Sequence, residues 1–197
     1  MKEKILIKAT EMYLSLGFKS VTMDDIATEM GISKKTIYQY YENKSDLILD
    51  CALFLFETIN SGIDEIFLLN LNPIEELFEI KNFILNRLND EKTSPMYQLQ
   101  KFYPKVYDLL RQKQFEKMDS CVLQNIERGV QMGLYRKSID KEFVARIYFS
   151  GMIAIKDKDL FPAEKFKDAE LVEKYLEYHL RSIATKEGIK ILEQFQN

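Results

Sequence analysis

From Thr22 to Leu47 the chain reads TMDDIATEMGISKKTIYQYYENKSDL, a run that dictates two short helices around a glycine turn and, at once, the start of a third helix. Thr22 is placed to accept from the amide of Asp25 while the Asp25 carboxylate reaches back to the Thr22 amide, a capping box. Val21 before the cap and Ile26 four residues into the helix form a hydrophobic staple. Ile26, Ala27 and Met30 then make a stripe at the helical period, and Gly31 supplies the positive φ at which the helix stops and the chain turns. The same grammar repeats after the turn. Ser33 is the N-cap, Ile32 and Ile37 hold the staple positions, and Ile37 with Tyr41 forms an inward face. Asn43 and Asp46 make a further cap pair, which puts Lys44 in the first turn of a long helix.

This layout is that of a DNA-reading helix-turn-helix, in which residues at the start of the second helix meet base edges while flanking side chains and helix N-termini hold phosphates. Lys34, Lys35, Thr36, Tyr38, Gln39 and Tyr40 are left for the outward faces of the second helix and carry donors for both tasks. Thr22 and Ser33 stand at the two helix starts, and Lys44 lies where its charge and the helix dipole both favour a phosphate. These nine residues are the expected DNA-binding set. A purely structural αα-hairpin is the competing reading of two short capped helices.

The segment resembles the N-terminal DNA-binding domain of TetR-family transcriptional regulators. Thr22, Ile26-Ala27, Gly31, Ile32, Ser33, Tyr38, Tyr40, Tyr41, Lys44 and Leu47 stand at the spacing of that family's pattern. Two positions depart from it: Tyr41, where the family usually has Phe, and Tyr40, which is often His. The resemblance covers about residues 1–50; farther on, a GLYR run at Gly133 to Arg136 followed by Asp140 is similar to a feature of the family's C-terminal domains. It implies an all-α, TetR-like fold. Residues 1–46 would be a three-helix helix-turn-helix DNA-binding domain, and residues 47–197 a larger helical effector-binding and dimerisation domain. It also implies a homodimeric repressor, whereas a cytoplasmic location is expected from the reduced cysteines and the lack of a signal peptide or membrane span. The expected partners are a palindromic double-stranded DNA operator, a second copy of the chain, and a small apolar or aromatic effector that releases the DNA.

Composition agrees with a helical chain: among 197 residues only 7 Gly and 4 Pro punctuate the sequence, and no long stretch alternates with period 2. Charge is less accommodating, since the chain is formally −3 and residues 1–50 hold 7 Lys and no Arg against 4 Glu and 4 Asp. Placement matters more than the total. Lys34, Lys35 and Lys44 gather on the reading surface, whereas Asp24, Asp25, Asp46 and Asp50 fall near helix starts or on the next helix. The expectation is few ionic phosphate contacts per subunit and a modest salt slope, with neutral donors such as Thr36, Tyr38 and Tyr40 carrying part of the binding. Cys51 and Cys121 form no CxxC pair and read as reduced core residues. The opening MKEKILIKATEMYLSLGF mixes Lys and Glu into its apolar positions and is no signal peptide, and the apolar run Leu47 to Phe56 contains Asp50 and is about half the length of a membrane span. No membrane partner is expected.

The rest of the chain places further helices. Ile5, Ala9, Met12, Tyr13 and Leu16 give the first helix its apolar face, which ends at Gly17 with Phe18 folding back onto Tyr13 in a Schellman-type cap. A long helix runs from about Asn43 toward Asn70 and is the covalent link between the DNA-reading part and the remainder. Pro73 begins another, reaching to about Asn89; the polar stretch NDEKTSP then breaks the chain, and a long helix extends to about Met132. Phe83, Tyr97, Phe102, Tyr103 and Tyr107 are candidate lining of an effector pocket, because such pockets are mostly apolar with a few polar tips; ordinary core is the equal alternative.

Two later stripes are wide. One comprises Phe143, Val144, Ile147, Tyr148, Gly151, Met152 and Ile155, the other Leu171, Val172, Tyr175, Leu176, Leu180 and Ile183. Ile147, Tyr148, Gly151, Met152, Val172, Tyr175, Leu176, His179, Leu180 and Ile183 are the candidate dimer interface, with intrachain burial as the other explanation. A single helix-turn-helix reads too few base pairs to be specific, whereas a two-fold pair reads a palindrome. No catalytic, metal or cofactor signature appears, and the lone histidine, His179, sits among apolar neighbours. The alternatives are a ligand-independent DNA-organising protein of the same fold and a helical small-molecule binder with a vestigial helix-turn-helix.

Overall fold

The computed structural model describes residues 1–87 and 95–195. The expected all-helical architecture holds: α1 (Lys2–Leu16), α2 (Met23–Glu29), α3 (Lys34–Tyr38), α4 (Lys44–Phe67), α5 (Pro73–Arg87), α6 (Pro95–Phe102), α7 (Pro104–Gln131), α8 (Lys141–Ala154), α9 (Asp168–Ile183) and α10 (Lys186–Leu192). Among the described residues the one extended pairing is an isolated bridge between Tyr135 and Ala184. The helices form two compact units, residues 1–62 with 86–114, and residues 63–85 with 115–197. The segment expected to bind DNA, residues 1–46, falls wholly inside the first.

In the first unit Ile5, Ala9 and Tyr13 of α1, Ile26 of α2, Ile37 of α3, Leu47, Ile48 and Cys51 of α4, Leu99 of α6 and Leu110 of α7 close one core. Phe18 does stack on Tyr13, with ring centroids 5.1 Å apart. The helix end is not the Schellman turn expected, however: Gly17 donates to the Tyr13 carbonyl and leaves at φ 90, ψ 149, outside the left-handed helical well. The reason is a distant residue. The carboxamide of Gln98 in α6 fills the place a Cβ on Gly17 would take, its Nε2 2.7 Å from that position, and its Oε1 accepts the amide of Lys19 at 3.3 Å.

The second unit is built on Ile74, Leu77 and Phe78 of α5, Val122 and Ile126 of α7, Tyr148 of α8, and Leu176, Leu180 and Ile183 of α9. Pro73 begins α5 as expected, with Asn72 Oδ1 accepting the amides of Ile74 and Glu75 at 3.0 and 3.1 Å. The expected end of that helix at Asn89, and the polar stretch from Asn89 to Ser94, lie outside the described residues. A polar group sits in the middle of this apolar unit. Glu76 is fully buried, its Oε1 accepting from Asn125 Nδ2 at 2.8 Å and its Oε2 from Arg128 Nη1 at 2.7 Å. Arg128 Nη2 donates onward to the Leu71 carbonyl, and the Tyr135 hydroxyl donates to Asn125 Oδ1. A buried carboxylate is tolerable only when its oxygens are engaged in this way.

The GLYR run finds its role here. Leu134 and Tyr135 are its buried members, while the amide of Arg136 donates to the Ile183 carbonyl and the amide of Thr185 to the Leu134 carbonyl, each at 2.9 Å. The run thereby ties the end of α7 to the junction of α9 and α10. Across the packed pair α8 and α9, Gly151 admits the Tyr175 ring, which would lie 2.1 Å from a Cβ there, and lets the Tyr175 hydroxyl donate to the Ile147 carbonyl at 2.9 Å.

Two expectations follow. Replacing Glu76 with Ala removes the acceptor shared by buried Asn125 and half-buried Arg128 and should cost about 1–3 kcal/mol in chemical unfolding, against a small change for a typical surface glutamate. His179, buried with its ring centroid 4.4 Å from that of Tyr148, has its pKa lowered from 6.5 to about 4 by burial. The unfolded chain therefore binds a proton at His179 across that window while the folded chain does not. Stability should fall as pH drops from 6.5 to 4, by about 3 kcal/mol from this group. Urea midpoints compared with those of His179→Gln isolate the contribution: the variant should lose that part of the slope.

Candidate nucleic-acid interface

The first helix of the motif starts as the sequence requires. Thr22 donates its amide to Asp25 Oδ2 at 2.8 Å and accepts the Asp25 amide at 3.2 Å, closing the capping box. The Thr22 amide first, and then the Thr22 hydroxyl, which also donates to Asp25 Oδ2 at 2.8 Å, hold the Asp25 carboxyl below its ordinary range. Val21 and Ile26 are buried as the staple demands, and Gly31 turns the chain at φ 65. Ser33 Oγ then accepts the Thr36 amide at 3.1 Å. With Ile37 and Tyr41 drawn into the core, the opposite side of α3 is left to solvent.

Of the nine residues expected at DNA, Thr22, Ser33, Lys34, Lys35, Tyr38, Gln39 and Tyr40 are exposed, and Thr36 and Lys44 half-buried. The second helix is shorter than the sequence suggested. It ends at Tyr38, so Gln39 is its C-cap and Tyr40 lies in the following turn, its amide donating to the Ile37 carbonyl at 2.9 Å. The chain must tighten there because Tyr41 dives into the core and Asn43 opens the next helix, its Oδ1 accepting the Asp46 amide at 3.0 Å.

Lys44 does not project freely. Its ammonium donates to the Lys19 carbonyl at 3.3 Å and sits 5.9 Å above the Tyr13 ring, and partial burial lowers its pKa. Neither this docking nor the role of Asp24, which pairs with Lys34 at 2.7 Å across the turn, is visible in the sequence. In sequence Asp24 reads as a helix-start carboxylate away from the reading surface; a ten-residue separation bridged by a glycine turn hides the contact. The two tyrosine hydroxyls of this core, Tyr13 Oη and Tyr41 Oη, are buried without a hydrogen-bond partner among the described residues, and burial pushes Tyr41 up to about 12. Tyr41 carries the hydroxyl that Phe, usual at this position, would lack.

The other candidate sets separate. Phe83 lies in the second unit and Tyr97, Phe102, Tyr103 and Tyr107 in the first. Tyr103 and Tyr107 pack against the first core, whereas Tyr97 and Phe102 are exposed with the Lys101 ammonium over both rings. Tyr148, Leu176, His179, Leu180 and Ile183 are buried within the second unit itself; Gly151, Met152, Val172 and Tyr175 are half-buried and Ile147 exposed. The most exposed apolar side chains on these two helices are Phe143 and Tyr178, and Tyr178 was not singled out from sequence. Its ring stacks on that of Tyr175, one helical turn earlier, with centroids 6.3 Å apart. Among the described residues no three His, Cys, Asp or Glu side chains gather as metal ligands, and no helix is long and apolar enough to cross a membrane.

Comparison with known proteins agrees with this geometry. Residues 5–51 match the family described as bacterial regulatory proteins, tetR family. The chain is 26% identical over 185 residues to the uncharacterized HTH-type transcriptional regulator YhgD of Bacillus subtilis, covering 89% of this chain and 94% of that one. Over 47 residues, 24% of this chain and 25% of the other, it is 34% identical to IcaR of Staphylococcus epidermidis, the HTH-type negative transcriptional regulator of the biofilm operon icaADBC. The fold matches the crystal structure of a TetR-family transcriptional regulator from Agrobacterium tumefaciens with a TM-score of 0.74 and 18% identity, over 93% of this chain and 97% of that one.

Because α2 and α3 are only seven and five residues long, the side chains that cap their starts, Thr22 and Ser33, should matter to the motif. Thr22→Ala and Ser33→Ala should each lower stability by about 1 kcal/mol in thermal unfolding. Variants that melt with the wild type would show that packing alone holds the motif.

Proposed function

We propose, from the chain's membership of the TetR family of transcriptional regulators, that it acts in the cytoplasm as a homodimeric repressor. It binds a palindromic operator through α3 and is released by a small apolar or aromatic effector. Members of this family are not enzymes. The observation that carries the reading is the outward face of α3: one exposed surface presents Lys34, Lys35, Tyr38 and Gln39, while Ile37 and Tyr41 anchor the helix from behind. Lys35 and Gln39 have the reach and donors for base edges, and Thr22, Thr36, Tyr38, Tyr40 and Lys44 suit phosphates. Repression is supported by IcaR, a negative regulator 34% identical to this chain over 47 residues.

Pairing of two chains is supported by the apolar side chains α8 and α9 leave exposed, Phe143, Ile147 and Tyr178. Two copies would set their α3 helices about one helical turn of DNA apart, or a multiple of it. An effector, for which Tyr103 and Tyr107 are proposed contacts, weakens DNA binding only through a higher affinity for the state whose spacing does not fit.

Selection of bound duplexes from a random pool near physiological salt tests the reading, with a Tyr38→Ala, Lys44→Ala double variant alongside. One palindrome should be enriched by the wild type alone; no enrichment by the wild type would overturn it. On the selected operator, Lys35→Ala or Gln39→Ala should relax base preference at one or two positions per half-site by roughly 1–3 kcal/mol, whereas Tyr38→Phe and Lys44→Ala should weaken all duplexes alike.

A further inference from the structure

The cations of the reading surface are not equally available. Lys44 is docked on the Lys19 carbonyl. Lys34 is held by Asp24, Nζ to Oδ2 at 2.7 Å, with side chains 44% and 65% exposed, so the pair lies at the surface where DNA would arrive. The acid at the neighbouring position cannot serve in its place. Asp25 Oδ2 already accepts from both the amide and the hydroxyl of Thr22, so Asp25 is committed to the cap and Asp24 is the carboxylate of this turn left to act on α3. The same ammonium lies 5.9 Å from the centroid of the Tyr38 ring, so Asp24 holds it over a residue proposed to meet phosphate.

A carboxylate so placed occupies the position a phosphate oxygen would take on Lys34. A lysine already neutralised within the protein releases fewer counterions when the duplex arrives, and counterion release is the sequence-independent part of DNA affinity. We propose that Asp24 is an intramolecular competitor for DNA phosphate at Lys34, lowering affinity for all duplexes alike and leaving base preference to the rest of α3. The proposal rests on α3 being the DNA-contacting helix. It identifies an acid on the binding face whose function is to weaken binding, so that the protein is not retained on unrelated sequence and a released dimer leaves DNA readily.

The test measures the affinity of wild type, Asp24→Asn, Lys34→Ala and the double variant for the selected palindrome and for a scrambled duplex across a salt series. Asp24→Asn keeps a short polar side chain at the start of α2 but removes the charge. It should tighten both duplexes by the same several-fold factor and steepen the dependence of log affinity on log salt by about 0.9 per subunit. In the Lys34→Ala background the same change should have no effect. Three results overturn the proposal: an unchanged salt slope in Asp24→Asn, an equal gain without Lys34, which makes Asp24 a direct repeller of the backbone, or a changed base preference, which makes it a reader of cytosine N4. Wild type that binds neither duplex overturns the underlying reading as well, and is thereby told apart from the other three.

Discussion

The burial of Ile37 and Tyr41 behind a helix of five residues is the constraint on which the rest depends. So short a helix has no stability of its own in water, because nucleation costs more than its few hydrogen bonds return. α3 exists because Ser33 supplies its first acceptor, because Gly31 delivers the chain at the right angle, and because Ile37 has a core to enter. That core is shared with α1, α2, α4, α6 and α7 of the first unit. The outward face of α3 is therefore fixed in direction by residues that never meet solvent, and a change in their packing re-aims the residues proposed to read DNA.

The second unit solves a different problem. Its helices carry wide apolar faces, which specify burial but not a unique arrangement, and the Glu76, Asn125, Arg128 and Tyr135 group supplies the missing direction. Each of these hydrogen bonds has one geometry, whereas a leucine accepts many neighbours. The pairing of Leu134 and Arg136 with the α9–α10 junction adds a second fixed point. Much of the apolar stripe on α9 is consumed by this intrachain core, so a partner chain would meet the exposed residues Ile147 and Tyr178 rather than Leu176 or Leu180.

What the sequence made legible was local. Capping at Thr22 and Ser33, the turn at Gly31 and the start at Pro73 each involve atoms within four residues of one another, and each could be read from residue types and spacing. What it hid was contact at a distance. The ending of α1 was misread because Gln98, 79 residues away from Lys19, sets the course of the chain there. The GLYR run was noticed without a role, since that role depends on Thr185 and Ile183. Within the reading surface the residue types were legible and their availability was not: Lys44 looked like an open cation and is docked, and Lys34 looked unpaired and is held by Asp24.

The proposed function requires two copies of α3 to act together on one piece of DNA. The most direct measurement is the mass of the complex in solution, by sedimentation on a duplex carrying the selected palindrome and on one carrying a single half-site. The account requires two chains on the palindrome and a large loss of affinity on the half-site, because one helix-turn-helix contacts too few base pairs to hold alone. One chain bound to either duplex with equal affinity would contradict it.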